Sequence, residues 1–350
     1  MTPDIALILG IDGIATGSIY VLVGLGLVLI FSVTRVVFVP FGDIVAFSAL
    51  TLASIQLNRL PGTIYLILTL ALVACAVETV HLWRRGQARQ IPRGLFVYGV
   101  LPLIPVVIAW LTAGVNLPAM VQIVLAIALV TPIGPLIERI ALRPIADASV
   151  LLLLIVSVAL TFGLSGLGLL FFGPEGFRTK PLTTEVFRFG SVIVTSQTLL
   201  MVASAAVFSL LLFLFFEHTL PGKALRATAI NRVGARIVGI RPASSGALAF
   251  LLASLLGAIS GILISPVTTL YYDSGFIIGL KAFVGAIVGG LASYPGTAIG
   301  ALLVGLLESF ASFWSSSLKE VIVFSLLIPV LLWRSLTLTQ VDEEDEEVQG

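Results

Sequence analysis

The chain has 350 residues, 58% of them hydrophobic and only 11% charged, with a mean hydropathy of +1.15. No soluble core of that size hides so much apolar surface, so the composition excludes a soluble globular protein and points to an integral membrane protein. The formal net charge of +1 conceals an asymmetry, because six of the eighteen acids (Asp342, Glu343, Glu344, Asp345, Glu346 and Glu347) crowd into the last ten residues. Residues 336–350 therefore read as a disordered, solvated acidic tail behind a membrane domain spanning 1–335. The single Cys75 excludes an internal disulfide.

A helix needs roughly 20 apolar residues to cross a bilayer. That length predicts spans near 5–32, 36–57, 62–82, 95–112, 118–138, 150–172, 194–216, 243–266, 276–292, 297–314 and 318–334. The fold class is all-α, a polytopic helical membrane protein of about nine to eleven transmembrane helices. The first run has no basic flank and no cleavage site, so it is a first span rather than a signal peptide. With the N-terminus outside, thirteen basic residues fall on the inner side: Arg35, Arg84, Arg85, Arg89, Arg93, Arg139, Arg143, Lys223, Arg226, Arg232, Arg236, Arg241 and Arg334. Arg59, Arg178, Lys180, Arg188 and Lys319 fall outside, and Lys281 lies within a span. The positive-inside rule thus predicts an outer N-terminus and a cytoplasmic C-terminus in a cell inner membrane.

In the first span, Gly13 and Gly17 form a small-residue face suited to close helix approach. Arg35 and Asp43 follow, and ionisable groups at membrane depth must face protein or a wet cavity. The set Gly13, Gly17, Ser18, Tyr20, Gly24, Gly26, Arg35 and Gly42 resembles the permease subunits of branched-chain amino acid ABC importers. Those permeases usually carry an aromatic-alanine-histidine-glycine-glutamate run where this chain has Val39-Pro40-Phe41-Gly42-Asp43. The resemblance puts Phe41, Gly42 and Asp43 on the substrate path, and the departures there leave room for a shifted specificity.

Residues 58–117 match the family least, and approximately 62–95 reads as an insertion around the basic loop HLWRRGQARQIPRG. His81, beside Trp83, suits an interfacial position better than a ligand. The resemblance resumes at Glu138-Arg139-Ile140-Ala141-Leu142-Arg143-Pro144, either an inner-side anchor or a partner contact. Residues 173–193, rich in proline, glycine, threonine and mixed charge, form an outer loop rather than a span. Their charges suit either a solvated surface or docking of the substrate-binding protein that the resemblance implies.

Residues 217–242 are the long polar interruption of the second half, with Lys223, Arg226, Arg232, Arg236 and Arg241. Pro221-Gly222 predicts a turn. Leu225, Ala229, Val233 and Ile237, spaced four apart, predict one helix with a single apolar edge, loosened at Gly234 and stopped at Arg241-Pro242. A basic helix with an apolar edge suits a groove on a soluble partner, and equally a solvated inner loop. The segment is similar to the family's cytoplasmic coupling segment at Gly222, Arg226, Ala227, Ala229, Ala235, Gly239 and Ile240, with Ile230-Asn231 replacing an acidic pair. The resemblance implies ATPase coupling through Gly222, Leu225, Arg226, Ala229 and Gly239.

Farther along, Gly257/Gly261, Gly285/Gly289 and Gly296/Gly300 give three small-residue faces, and Gly289, Gly290, Ser293, Pro295 and Gly296 match a family turn. Lys281, costly in lipid, needs a cavity, a carbonyl or an acid, with Glu308 or Asp43 as partner; Lys281 and Glu308 complete the expected substrate path. The resemblance covers 8–57 and 118–335. It implies a permease subunit working with a second permease, two ATPase subunits and an extracytoplasmic binding protein.

Such a subunit needs no cofactor of its own, with ATP held by the partners. Gly222-Lys223 lacks the preceding glycine and following hydroxyl of a P-loop. With no His-Glu-x-x-His run and only His81 and His218, there is no catalytic or metal constellation, so an enzyme is not expected, nor is a nucleic-acid partner. The competing reading, a self-contained secondary transporter or channel, needs more intramembrane charge than Asp12, Arg35, Asp43, Lys281 and Glu308. The transported solute stays open between branched-chain amino acids, urea, amides and aromatic acids.

Overall fold

The computed structural model describes residues 3–332 apart from 85, 147, 184, 190, 191 and 292. Arg85, Arg334 and the acidic tail at 336–350 lie outside the described residues. In chain order the elements are α1 (Pro3–Thr34), α2 (Phe41–Gln56), α3 (Thr63–Arg84), α4 (Ile91–Leu111), α5 (Ala119–Ile145) and α6 (Val150–Phe172). A hairpin of β1 (Val186–Phe189) and β2 (Val192–Thr195) follows, then α7 (Ser196–His218), α8 (Leu220–Ile230) and α9 (Arg232–Ile237). The chain continues with α10 (Pro242–Ile264), α11 (Ser274–Gly289), α12 (Tyr294–Trp314) and α13 (Lys319–Ser325).

Eight of these helices are long and apolar enough to cross a bilayer. Every expected span has a helical counterpart, but α2 and α11 have only 16 residues each. At about 1.5 Å per residue each covers roughly 24 Å, short of a hydrocarbon core of about 30 Å. Within the last expected span, α13 has seven residues, and helix resumes over 327–332, the last of the described residues. A short helix can share its span with apolar non-helical backbone at its end. Residues 36–40 are such a stretch. Arg35 takes φ 60, which ends α1, and the chain runs without helix through a turn at residues 39–40 to Pro40, the N-cap of α2.

Non-helical backbone at membrane depth survives only where protein covers it and its polar groups find partners. Val36, Phe38 and Pro40 are buried, and the Val39 amide donates to Ser157 Oγ of α6 at 2.9 Å. α2 then passes Gly42 against Gly275 and Gly279 of α11 so closely that a side chain at Gly42 would overlap the neighbouring backbone.

The centre of the bundle is α1, which packs against α12, α10, α7, α11 and α2. In its most apolar window 83% of residues are buried, against 22% in α4, α6 and α7, whose remaining faces suit lipid. Between α11 and α12, Gly285 lies against Ala301 and Gly289 against Gly296 backbone, with no room for a Cβ. These contacts are the close approaches that the glycine spacing predicts.

α3, within the stretch read as an insertion, is tied to its neighbours. Thr63 shares a hydrogen bond with Thr51 of α2, and Glu78 pairs with Arg139 of α5. Across the bundle, β1 and β2 pair antiparallel with Val186 opposite Thr195 and Arg188 opposite Ile193. A bridge between Phe177 and Leu270 holds the preceding loop to the chain before α11.

Candidate functional site

The expected coupling segment folds differently from the one helix its periodicity predicts. Pro221-Gly222 is the first turn of α8 rather than a free turn, because Thr219 Oγ1 accepts the Gly222 amide at 3.1 Å and proline is tolerated there. The break falls at Asn231, not at Gly234. Asn231 adopts φ −143 and ψ 102, and its Oδ1 accepts the Val233 and Gly234 amides at 3.0 and 2.8 Å. An asparagine that caps a new helix satisfies two amides that a continuing helix would have bonded to carbonyls. Gly239, at φ 87, ends α9 as the Ile240 amide returns to the Ala235 carbonyl at 2.9 Å.

The break splits the predicted edge. Leu225 is 1% exposed and turned into the chain's own core, and Gly222 is buried against Phe215 and Phe216, so neither lies on an open docking face. Ala229 is half-buried and Arg226 exposed. Ile230, Val233 and Ile237 are open, exposed 78, 68 and 81%, as are Leu220 at the start of α8 and Val238 just after α9. Arg226 pairs with Glu217 at 3.1 Å, both half-exposed, so this bridge contributes little. Arg35 is exposed, and its Nη2 donates to the Ala229 carbonyl at 3.2 Å, linking the end of α1 to α8.

The residues expected along the substrate path fall into two places. Lys281 of α11 is 5% exposed, and its Nζ lies 2.5 Å from Glu308 Oε1 of α12. Tyr20 of α1 donates its hydroxyl to Glu308 Oε2 at 2.5 Å, and Glu320 of α13 lies 4.0 Å from the ammonium. One lysine thus joins three helices and faces two acids in a low-dielectric interior, where charge-assisted bonds are strong.

Asp43 takes no part in that cluster. It is fully buried in the first turn of α2, and neither carboxylate oxygen has a hydrogen-bond partner among the described residues. The helix N-terminus is the favourable end for a carboxylate, yet a buried one without partners is costly. Phe41, equally buried, sets its ring against Gly26 of α1 and Gly257 of α10, where side chains would leave it no room.

Several participants escape a sequence reading. Tyr20 registers there only as a position shared with a family, and Glu320 lies at the start of an uncertain last span. Glu78 sits in the stretch read as an insertion, yet it accepts from Arg139, which is 3% exposed. Glu138 is buried as well, so neither of these two charges is open to solvent. Charged residues inside apolar runs were the available signal.

The chain matches a family model described as branched-chain amino acid transport system, permease component, over residues 10–331. The high-affinity branched-chain amino acid transport system permease protein LivH of Escherichia coli (strain K12) is 31% identical over 217 residues, covering 59% of this chain and 70% of that protein. The corresponding protein BraD of Pseudomonas aeruginosa is 30% identical over 216 residues, covering 60% and 70%. Among solved structures, PsaBC from Streptococcus pneumoniae in complex with Fab covers 91% of this chain and 89% of its own at 12% identity. Its TM-score of 0.38 is too low to carry an argument. With nearly its whole length matched and a relative 31% identical over most of that relative's length, the chain belongs to the permease-component family of branched-chain amino acid transport systems.

Proposed function

We propose that the chain is the transmembrane subunit of an ABC importer, set beside a second permease and driven by two ATPase subunits. It would receive branched-chain amino acids, or a related small polar solute, from an extracytoplasmic binding protein. The observation that carries this reading is the helix pair α8–α9 between two crossing helices, with Ile230, Val233 and Ile237 open amid Lys223, Arg226 and Arg236. Apolar side chains ringed by arginines, on a segment fixed to α1 by Arg35, suit a groove on a soluble partner. Docking there would use Arg226, Ala229, Gly239 and the open face of α9, with Leu225 and Gly222 holding α8 to the membrane domain.

Solute would pass near the Phe41-Gly42-Asp43 turn and the Lys281–Glu308 pair, where short helices leave non-helical backbone inside the protein. The basic residues support an outer N-terminus, which places α8–α9 on the ATPase side. Membranes with the complete set of subunits should take up leucine only with ATP. The double substitution Arg226→Glu/Ile237→Glu should cut uptake at least tenfold while the permease stays inserted and ATP hydrolysis loses its dependence on transport. Undiminished uptake with normal ATPase co-purification, or uptake driven by an ion gradient without ATP, overturns the proposal.

A further inference from the structure

A cavity of about 740 Å³ opens between α3, the end of α5, α9 and the start of α10, away from both groups described above. Its polar wall is cationic. Arg84, Arg143, Arg232 and Arg236 all line it, and none forms an ion pair among the described residues. Arg143 donates to the Tyr98 hydroxyl at 3.0 Å, and Arg232 reaches only the Ala146 carbonyl, at 3.4 Å. The Arg232 Nε is buried without a partner. Arg139, also in the lining, is already matched by Glu78.

Arg84, Arg143, Arg232 and Arg236 line one hollow with a single unpaired carboxylate, Glu138, among them, so the wall keeps an excess of positive charge that a bound anion relieves, and arginine forks fit phosphate oxygens. The cavity also has an apolar wall that continues the polar one along a single helix. Ala76, Val77 and Val80 of α3 line it on the same face that ends at Arg84. α3 is one of the helices long and apolar enough to cross the bilayer, and most of its surface is open. Along one helix the hollow therefore passes from hydrocarbon-like to cationic, as a phospholipid passes from acyl chain to phosphate. A free phosphate would use only the arginines and leave the apolar wall bare.

One further group narrows the ligand. Glu138 lines the cavity, is 5% exposed, and has an Oε2 without a hydrogen-bond partner. Beside a phosphate it needs a donor, which a choline cannot supply; a hydroxyl supplies one and leaves the lipid with the net negative charge that the arginines favour, which an ammonium headgroup would cancel.

We propose that this cavity binds a phospholipid whose phosphodiester meets Arg143, Arg232 and Arg236 and whose headgroup hydroxyl donates to Glu138, with an acyl chain along Ala76, Val77 and Val80. Because Arg232 and Arg236 belong to α9, bound lipid clamps the segment after Asn231 to α3. Arg236 also borders the face proposed for ATPase docking, but lipid retention is read on the chain alone, without an ATPase, so a failure of one proposal is distinguishable from a failure of the other.

The test is phosphatidylglycerol binding to the purified full-length chain by native mass spectrometry, in detergent with phosphatidylcholine as competitor. Wild type should retain phosphatidylglycerol over phosphatidylcholine. Each arginine near an anionic headgroup contributes about fivefold in binding, so Arg143→Gln/Arg232→Gln should weaken retention roughly 25-fold. The exposed Arg236→Gln alone should weaken it about fivefold, which keeps the test open if the double variant fails to fold. Arg178→Gln, outside the cavity, should have no effect. Wild-type retention in Arg236→Gln, equal retention of phosphatidylcholine, or displacement of phosphatidylglycerol by millimolar inorganic phosphate overturns the proposal, the last assigning the arginines to a soluble anion.

Discussion

Replacing Lys281 with Met removes the only cation that faces Glu308 among the described residues. The structure sets the size of the effect. Lys281 and Glu308 side chains are 6 and 12% exposed, their charged atoms lie 2.5 Å apart, and the Tyr20 hydroxyl is the only other group bonded to Glu308 among the described residues. Removing one member of a buried pair leaves the other charge desolvated and costs about 3–5 kcal/mol. Glu320, 4.0 Å from Nζ, adds a second acid that loses its counter-charge, although its 44% exposure lets water compensate. Lys281→Met should therefore lower stability by about 3–5 kcal/mol, measured by detergent-micelle unfolding of the purified chain. Adding Glu308→Gln removes the stranded charge while keeping an acceptor for Tyr20, so the double variant should recover about 2–4 kcal/mol of that loss. If the two substitutions simply add, or if Lys281→Met is as stable as wild type, the pair is not the coupled unit its geometry implies. Uptake by the double variant then tests the transport role: a stable but inactive protein supports a pairing that changes between inward- and outward-open states.

Asp43→Asn replaces a buried carboxylate that has no partner among the described residues with a neutral isostere, so abundance and unfolding stability should not fall while reconstituted uptake changes at least tenfold. A proportionate fall in both would make Asp43 a folding residue. Gly300→Leu places a side chain against the Gly285 carbonyl and should part α11 from α12, costing at least about 1–3 kcal/mol and lowering the yield of folded protein. Normal yield and unfolding would show that the two helices tolerate separation. Asn231→Ala removes both cap bonds of α9 and should cost about 0.5–2 kcal/mol locally, seen as faster amide exchange at residues 233–237. Unchanged exchange there would mean that tertiary contacts, not the cap, hold α9.

Composition and apolar run lengths determine the class of this protein, because 58% hydrophobic residues in long uninterrupted stretches have no soluble solution. The family was legible too, in spaced glycines and short polar turns. Those glycines report close helix approach locally: a missing Cβ is a property of the residue itself, and the structure brings Gly285, Gly289, Gly296 and Gly300 together as their spacing implies. The ends of helices were less legible. Residues 36–40 are as apolar as a span, and only the burial of Val36, Phe38 and Pro40 and the bond from Val39 to Ser157 show that non-helical backbone is tolerated there.

The same holds for 217–242. A four-residue spacing cannot tell one helix from two when an asparagine between them caps the second, so Leu225 and Val233 share a periodicity but not a face. Charge partners were the least legible of all. A lysine in an apolar run announces that it must be paired, which sequence can state. Whether Glu308, Asp43 or Glu320 answers it depends on where three helices cross, and crossings are set by packing across hundreds of residues.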